Sequence, residues 1–397
     1  MSARILYVMS GCPWPCDRGD RIRNYHLLQA LIPSNDVMLL TLDAGSAGEL
    51  PDGLNGCRHM SLEFPIWRQA MAAVLHLNMP VTAGRRSGRS IEQRMRKVVR
   101  GRTWDVVVAA QLRSVPVALA LEGTPHVLDL TDSLWNLYAQ DVSGAHTTLQ
   151  RGFRRAKTDR TRAYESFALS RADVVTVSSE TDAAVLRSLG GPARVCVVSN
   201  GTDTMERSVD YPSEHGVLFI GNCLYRPNLE GLLWFVREVW PLVLAAEPIC
   251  TLDVVGSVQH RVSSVLSAVP GVRVHGHVPD IGHFLSQAAV VINPVLTGSG
   301  TAFKSLEALA WGKALVTTPA GARSLGLAPG VDSLVASTGD EFAAAVCRLL
   351  CDPGLRSALG IAAQRVVAER FTWSAATAEW RALVLGVAAG ARTEKTP

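Results

Sequence analysis

The chain has 397 residues, 48% hydrophobic and 19% charged, which is enough apolar material for two or three domain cores and excludes a disordered chain. Its net charge of +4 is too small a bias to imply a nucleic-acid partner. Eight scattered cysteines, most of them in apolar runs, read as buried thiols of a reducing compartment. Cys12/Cys16 and Cys347/Cys351 lack the further ligands of a zinc site, so no metal is expected.

The first apolar run, 5–9, gives way at once to Asp17, Arg18 and Asp20, and so reads as a strand and polar loop rather than a signal peptide. No apolar stretch reaches the ~18 residues that span a bilayer, and a cytoplasmic protein is expected. Strands are expected at 5–9, 37–42, 106–109, 126–130, 174–178 and 195–198, with helical patterns between most of them, such as 22–31 and 181–189. That alternation predicts a parallel sheet covered by helices on both faces. After a polar stretch at 200–213, opened by the turn signal Asn200-Gly201, the pattern restarts. Strands follow at 217–220, 251–255, 272–275, 290–293 and 314–317, and helices at 228–246, 263–269 and 301–311. A last helix opens at 371 and runs to about 385, and residues 391–397 read as disordered. Two doubly wound domains in series are therefore expected, with ligand at the carboxyl ends of the strands, in a central cleft.

The most informative stretch runs from Val295 to Lys313, between an apolar strand and a helix. Gly298 and Gly300 let backbone N–H groups approach a ligand, and a helix N-terminus favours an anion such as pyrophosphate. Lys304 falls in the first helical turn, where it can reach the same anion. Glu307, three residues on, shares its helix face and can accept hydrogen bonds from ribose hydroxyls. The plainer reading is a glycine loop followed by a Lys304–Glu307 surface pair.

This stretch resembles the donor site of family 4 glycosyltransferases, which have the GT-B fold, in the variant Gly-Ser-Gly-Thr-x-x-Lys-x-x-Glu. The resemblance implies that Ser299, Gly300, Thr301 and Lys304 hold a nucleoside diphosphate sugar and that Glu307 binds its ribose. The family's first glutamate falls on Ser299, so the usual acidic contact to the donor sugar is missing. The stretch from Val217 to Asn228 looks like the family's first strand and loop of the second domain, which implies donor contacts from Gly221 and Asn222. The usual Arg/Lys clamp on the diphosphate is absent there, leaving Arg226 as a helper to Lys304. Asn228 also reads as a helix N-cap. The run from Gly276 to Asp280 resembles a loop near the nucleobase and makes His277 a site candidate, although a lone histidine is more often structural. Phe371-Thr-Trp373 resembles the start of the helix that crosses back to the first domain.

The run from Pro13 to His26 is similar to a sugar-transferase subgroup with Pro-x-x-x-Asp-x-Gly-Asp-x-x-Arg. Gly19 is then the close-approach residue, and Asp20 is an N-cap or an acceptor-binding carboxylate. Arg21 and Arg23 could attract phosphate, with exposed helix arginines as the plainer reading. Asp132, at a strand end, could bind sugar hydroxyls, act as a base, or cap the next helix. Basic residues from Arg85 to Arg102, opposed only by Glu92, read as a solvated helix or as a docking surface for an anionic acceptor or the inner membrane face. No interleaved aromatics accompany them, so nucleic acid is not expected.

The domains implied are 1–205 for the acceptor, 206–370 for the nucleotide-sugar donor, and 371–397 for the returning helix and tail. The activity implied is sugar transfer with retention of configuration, from a nucleotide-sugar co-substrate to a hydroxyl of a glycan, lipid-linked or small-molecule acceptor. No further cofactor is implied. The chain has no Asp-x-Asp to hold a metal, so Lys304 and helix N-termini would neutralise the leaving diphosphate. Rival readings are a GT-B-like sugar-nucleotide epimerase, for which Asp20 and Asp132 are the available carboxylates, and a catalytically idle nucleotide-sugar-binding protein. A dinucleotide dehydrogenase is disfavoured, because no Gly-x-Gly-x-x-Gly follows either first strand.

Overall fold

A computed structural model describes residues 2–42, 49–62, 66–76, 79–141, 147–203, 215–297 and 303–393. The chain parts into two compact units, Met1–Ser199 with Ser374–Pro397, and Asn200–Trp373. The division thus falls at Asn200 and Ser374, against 206 and 371 expected.

Unit 1 runs β1 (Arg4–Met9), α1 (Gly19–Leu31), β2 (Asp36–Thr41), β3 (Arg58–Ser61), α2 (Ile66–Leu75), α3 (Val81–Gly84), α4 (Arg89–Val98), β4 (Val106–Ala110), α5 (Val115–Ala118) and β5 (His126–Thr131). It continues α6 (Leu134–Asp141), α7 (Thr148–Arg171), β6 (Val174–Val177), α8 (Glu180–Ser188) and β7 (Arg194–Val197). The strands form a parallel sheet in the order β3-β2-β1-β4-β5-β6-β7. Successive strand residues point to opposite faces, so Leu6 and Val8 enter one core and Ile5 and Tyr7 the other. The first core is closed by Ile91 and Met95 of α4, Tyr164 and Ala168 of α7 and Leu186 of α8. The second is closed by Leu27, Leu28 and Leu31 of α1 and by Trp380 and Val384 of the returning helix.

Unit 2 runs β8 (Gly216–Ile220), α9 (Arg226–Trp234), α10 (Trp240–Ala246), β9 (Thr251–Val255), α11 (His260–Ser267), β10 (Val272–Gly276), α12 (Gly282–Gln287) and β11 (Val290–Asn293). Then come α13 (Phe303–Ala310), β12 (Ala314–Thr317), α14 (Pro319–Leu325), β13 (Leu334–Val335), α15 (Gly339–Cys351), α16 (Pro353–Arg370) and α17 (Trp373–Thr393). Its parallel sheet has the order β10-β9-β8-β11-β12-β13. The helix expected over 228–246 is interrupted by a π-helical turn at Phe235–Val239. Pro241 has no N–H for the carbonyl of Arg237, and its ring crowds that carbonyl, so the α ladder cannot pass.

The chain enters and leaves unit 2 side by side, with Thr202 N donating to the Phe371 carbonyl at 2.8 Å. From Ser374 onward α17 belongs to unit 1, where Trp380 Nε1 donates to the Leu27 carbonyl at 3.1 Å. The helix reaches Thr393, well beyond the expected 385, and the remainder of the expected disordered tail, 394–397, lies outside the described residues. Strands β3 and β13 were not anticipated: one reads Arg-His-Met-Ser and the other has two residues, too short and mixed for a hydrophobic pattern.

Candidate functional site

In each sheet the strand order reverses once, between β1 and β4 and between β8 and β11. At such a point the chain leaves neighbouring strands toward opposite faces, opening a crevice at their carboxyl ends. In unit 2 the crevice is flanked by the loop after β8, with Gly221 and Asn222, and by the start of α13 after β11. Gly221 N donates to the Val255 carbonyl at 2.9 Å, which ties the ends of β8 and β9 together. Gly256, with φ +131°, lies against the Gly221 carbonyl so closely that no side chain fits there.

Lys304 sits in the first turn of α13, half-buried, and its Nζ donates to Asn228 Oδ1 at 2.8 Å. The ammonium also lies 5.1 Å from the centre of the Phe219 ring. No carboxylate pairs with it among the described residues, and burial pulls its pKa down to about 8. Glu307, one turn on, is half-buried, and its carboxylate has no hydrogen-bond or ion-pair partner among the described residues. Burial pushes its carboxyl up to about 7. Lys304 and Glu307 do not pair with each other, so the surface-pair reading is corrected: both are drawn into the protein wall, and no charge among the described residues neutralises either.

Asn228 is not the N-cap of α9; that position is Tyr225, which makes no side-chain cap. The Asn228 side chain instead donates to the Asn222 carbonyl at 3.0 Å while accepting from Lys304, so it fastens the β8 loop to the cation. Asn222 is exposed, and its Oδ1 accepts from Leu224 N at 2.9 Å. Arg226 is turned along the surface of α9 to Glu230, at 2.7 Å. His277 is exposed just past the end of β10. Gly298, Ser299, Gly300 and Thr301 lie outside the described residues.

In unit 1 the corresponding edge is organised differently. Gly19 and Asp20 open α1, but the N-cap is Arg18, so Asp20 is not a cap. Its carboxylate accepts from Arg18 at 3.0 Å and from Gln111 Nε2 at 3.2 Å, and pairs with Arg113 at 3.6 Å. Arg23 is not an exposed helix arginine. It is fully buried, with a two-pronged hydrogen bond to Asp129 at 2.8 and 3.0 Å, and it donates to the Val198 carbonyl at 2.8 Å. Amphipathic reading of α1 cannot find this pair, because Asp129 lies 106 positions away on β5.

Asp132 follows a bulged end of β5 at which Thr131 adopts φ +66°, a conformation costly for a β-branched residue and typical of functional strand ends. It does not cap α6, since Ser133 Oγ accepts from Asn136 N at 3.1 Å instead. Asp132 accepts from Ser178 Oγ at 3.2 Å, and burial, helped by the charge of Asp182, pushes its carboxyl up to about 7. Around it stand groups the sequence reading missed. Asp182 accepts from Asn136 at 3.0 Å and from Ser179 at 2.7 Å, and Glu165 accepts from Ser133 at 2.8 Å and from Trp135 N at 3.2 Å. Ser178-Ser179 at the end of a buried strand was the available signal.

Two crevice-bearing Rossmann-like units in series define a GT-B protein, and comparison with known proteins gives that class a name. Residues 24–201 match the model of a glycosyl transferase 4-like domain, and residues 214–352 match that of glycosyl transferases group 1. The chain is a group 1 glycosyltransferase.

In fold it is similar to sucrose-phosphate synthase from Thermosynechococcus elongatus, with TM-score 0.73 and 16% identity over 98% of this chain and 100% of that one. Anabaena HepE in complex with UDP-glucose is similar at TM-score 0.65 and 15% identity, over 96% and 100% of the two chains. WaaG, a glycosyltransferase involved in lipopolysaccharide biosynthesis, is similar at TM-score 0.68 and 14% identity, again over 96% and 100%. An uncharacterised 44.6 kDa protein of the cps region of Klebsiella pneumoniae is 26% identical over 135 residues, 32% of this chain. That match spans 35% of the relative's length. No helix among the described residues is long and apolar enough to cross a membrane.

Proposed function

We propose that unit 2 binds the nucleoside diphosphate of a nucleotide-sugar, with Lys304 against the diphosphate and Glu307 on the ribose, and that the enzyme transfers the sugar with retention of configuration. The observation that carries this reading is the half-buried Lys304 ammonium, which has a neutral amide but no carboxylate partner among the described residues. A desolvated cation at a helix start is completed by an anion, and a desolvated carboxylate one turn away is completed by hydroxyl donors. A nucleoside diphosphate presents both at that separation. That Anabaena HepE was solved with UDP and with UDP-glucose supports a ligand of this class.

In the transfer an acceptor hydroxyl oxygen bonds to the anomeric carbon as the bond from that carbon to the diphosphate oxygen breaks. Negative charge grows on the departing diphosphate, where Lys304 and the N–H groups opening α13 stabilise it. The acceptor's proton passes to a donor phosphate oxygen. Gly221, Asn222 and the loop carrying Ser299, Gly300 and Thr301 complete the donor contacts, with Arg226 and His277 at its rim. Gly19, Asp20 and Asp132 of unit 1 are assigned to sugar and acceptor hydroxyls, the acceptor being a glycan, a lipid-linked sugar or a small molecule. Asp132 suits that role, because its carboxyl accepts from a single hydroxyl, that of Ser178, and has lone pairs for further donors.

The test is a thermal-shift series with UDP, GDP, ADP, TDP, CDP and their common sugars, run on the native chain and on Lys304→Ala. One nucleoside diphosphate should raise the melting temperature of the native chain and act much more weakly on the variant. Equal shifts in both would sink the assignment of Lys304.

A further inference from the structure

The helix α2 carries Trp67, Ala70, Met71, Val74 and Leu75, an i, i+3, i+4, i+7, i+8 stripe that ordinarily faces a core. Here it faces outward: Trp67 is 59% exposed, Met71 54%, Val74 67% and Leu75 74%. Helix α3, which packs against α2, adds Val81 at 54% exposed. Such a run of large apolar side chains in water is costly, at about 25 cal/mol for each Å² left uncovered.

The surroundings say what covers it. Between 66 and 102 the chain holds nine arginines and lysines against one acid, Glu92. Arg68 lies over the Trp67 ring, 5.1 Å from its centre. Arg85 is exposed just after α3. The ring of His76, at the end of α2, stands close to Gly88, the residue that precedes α4. The basic helix therefore starts where the apolar one stops. Helix α4 keeps Ile91 and Met95 in the core and exposes Arg94, Arg96 and Lys97. A second copy of this chain is a poor cover, since a two-fold contact through this face would set basic against basic. An anionic bilayer offers both halves of the match: acyl chains for Trp67, Met71, Val74 and Leu75, and headgroup charge for the flanking cations.

We infer that α2 lies in the headgroup layer of an anionic membrane, with α4 and Arg85 held against the surface charge, so that unit 1 docks on the bilayer. The membrane contact expected through 85–102 is thereby extended to α2: the basic helix supplies the attraction and α2 the insertion.

Vesicle sedimentation of the full chain tests it, using phosphatidylcholine vesicles with and without phosphatidylglycerol. The native chain should bind only the phosphatidylglycerol vesicles and should release as salt is raised. Serine at Trp67, Met71 and Leu75 together should weaken binding about tenfold or more, and so should Arg96→Glu with Lys97→Glu. Both variants should keep the native melting temperature and circular dichroism, which separates lost docking from lost folding. The tryptophan emission of the native chain should shift to the blue on binding, and that of the α2 variant, which lacks Trp67, should not. Three outcomes would overturn the inference: a native chain that ignores phosphatidylglycerol vesicles, folded variants that bind as tightly as the native chain, or a stable dimer in sedimentation velocity that the α2 variant alone abolishes.

Discussion

The two sheets end in crevices built the same way, yet their charges are settled differently. At the unit 1 edge most of the acids are buried and answered from within: Asp129 by Arg23 and Thr176, Asp182 by Asn136 and Ser179, Glu165 by Ser133. Asp132 alone in that group leans on a single hydroxyl. At the unit 2 edge the Lys304 ammonium has an amide, and the Glu307 carboxylate has no partner among the described residues. A structural charge network is complete without a ligand, whereas a binding site holds charge for something else to complete. On the proposed function the contrast separates residues that hold the fold from residues that await a substrate, and it can be broken by substitution.

The largest effect is expected at Arg23–Asp129. Asp129→Ala leaves a fully buried guanidinium without its acid, which should cost about 3–5 kcal/mol of stability in denaturant unfolding. A loss under about 1 kcal/mol would show that the pair is not part of the frame. Lys304→Ala should behave in the opposite way. Stability should hold or rise, because a desolvated cation is removed, while nucleoside diphosphate affinity falls by about 1.5–3 kcal/mol in calorimetry. If both substitutions unfold the protein alike, the two edges do not differ in kind.

This contrast was only half legible in the sequence. The strand–loop–helix order and the position of Lys304 and Glu307 on one helix turn were readable, because they are local. The burial of Lys304 was not, since it depends on Asn228 of α9 and Phe219 of β8 meeting it from distant parts of the chain. Arg23 shows the same limit more sharply: α1 looks like a surface helix opening, and its arginine is buried only because β5 brings Asp129 beneath it. Helix α2 is the reverse case, for periodicity finds an apolar stripe but not which side of it faces the core. The glycine loop, sharpest of all in sequence, lies outside the described residues.

The smallest predicted effect bears most directly on the idea of an edge held for a ligand. Burial raises the folded pKa of Glu307 to about 7 from its ordinary 4.5. Between those values the folded state binds more protons than the unfolded one, so stability falls as pH rises through that window, and the cost is complete above about 7. Lys304 has its folded pKa lowered to about 8 from 10.5, so its cost is present below 8 and fades as pH rises toward 10.5. The ligand-free protein therefore carries both costs together between about 7 and 8. Glu307→Gln removes the first. Its melting temperature should match that of the native chain near pH 4.5 and exceed it near pH 7 by the equivalent of about 1 kcal/mol, after allowing for partial solvent screening. A saturating nucleoside diphosphate should close that gap, because ribose hydroxyls donating to Glu307 restore its ionised form. A gap that persists with ligand bound would mean that the carboxylate is strained but unused, and the ribose would have to be placed elsewhere.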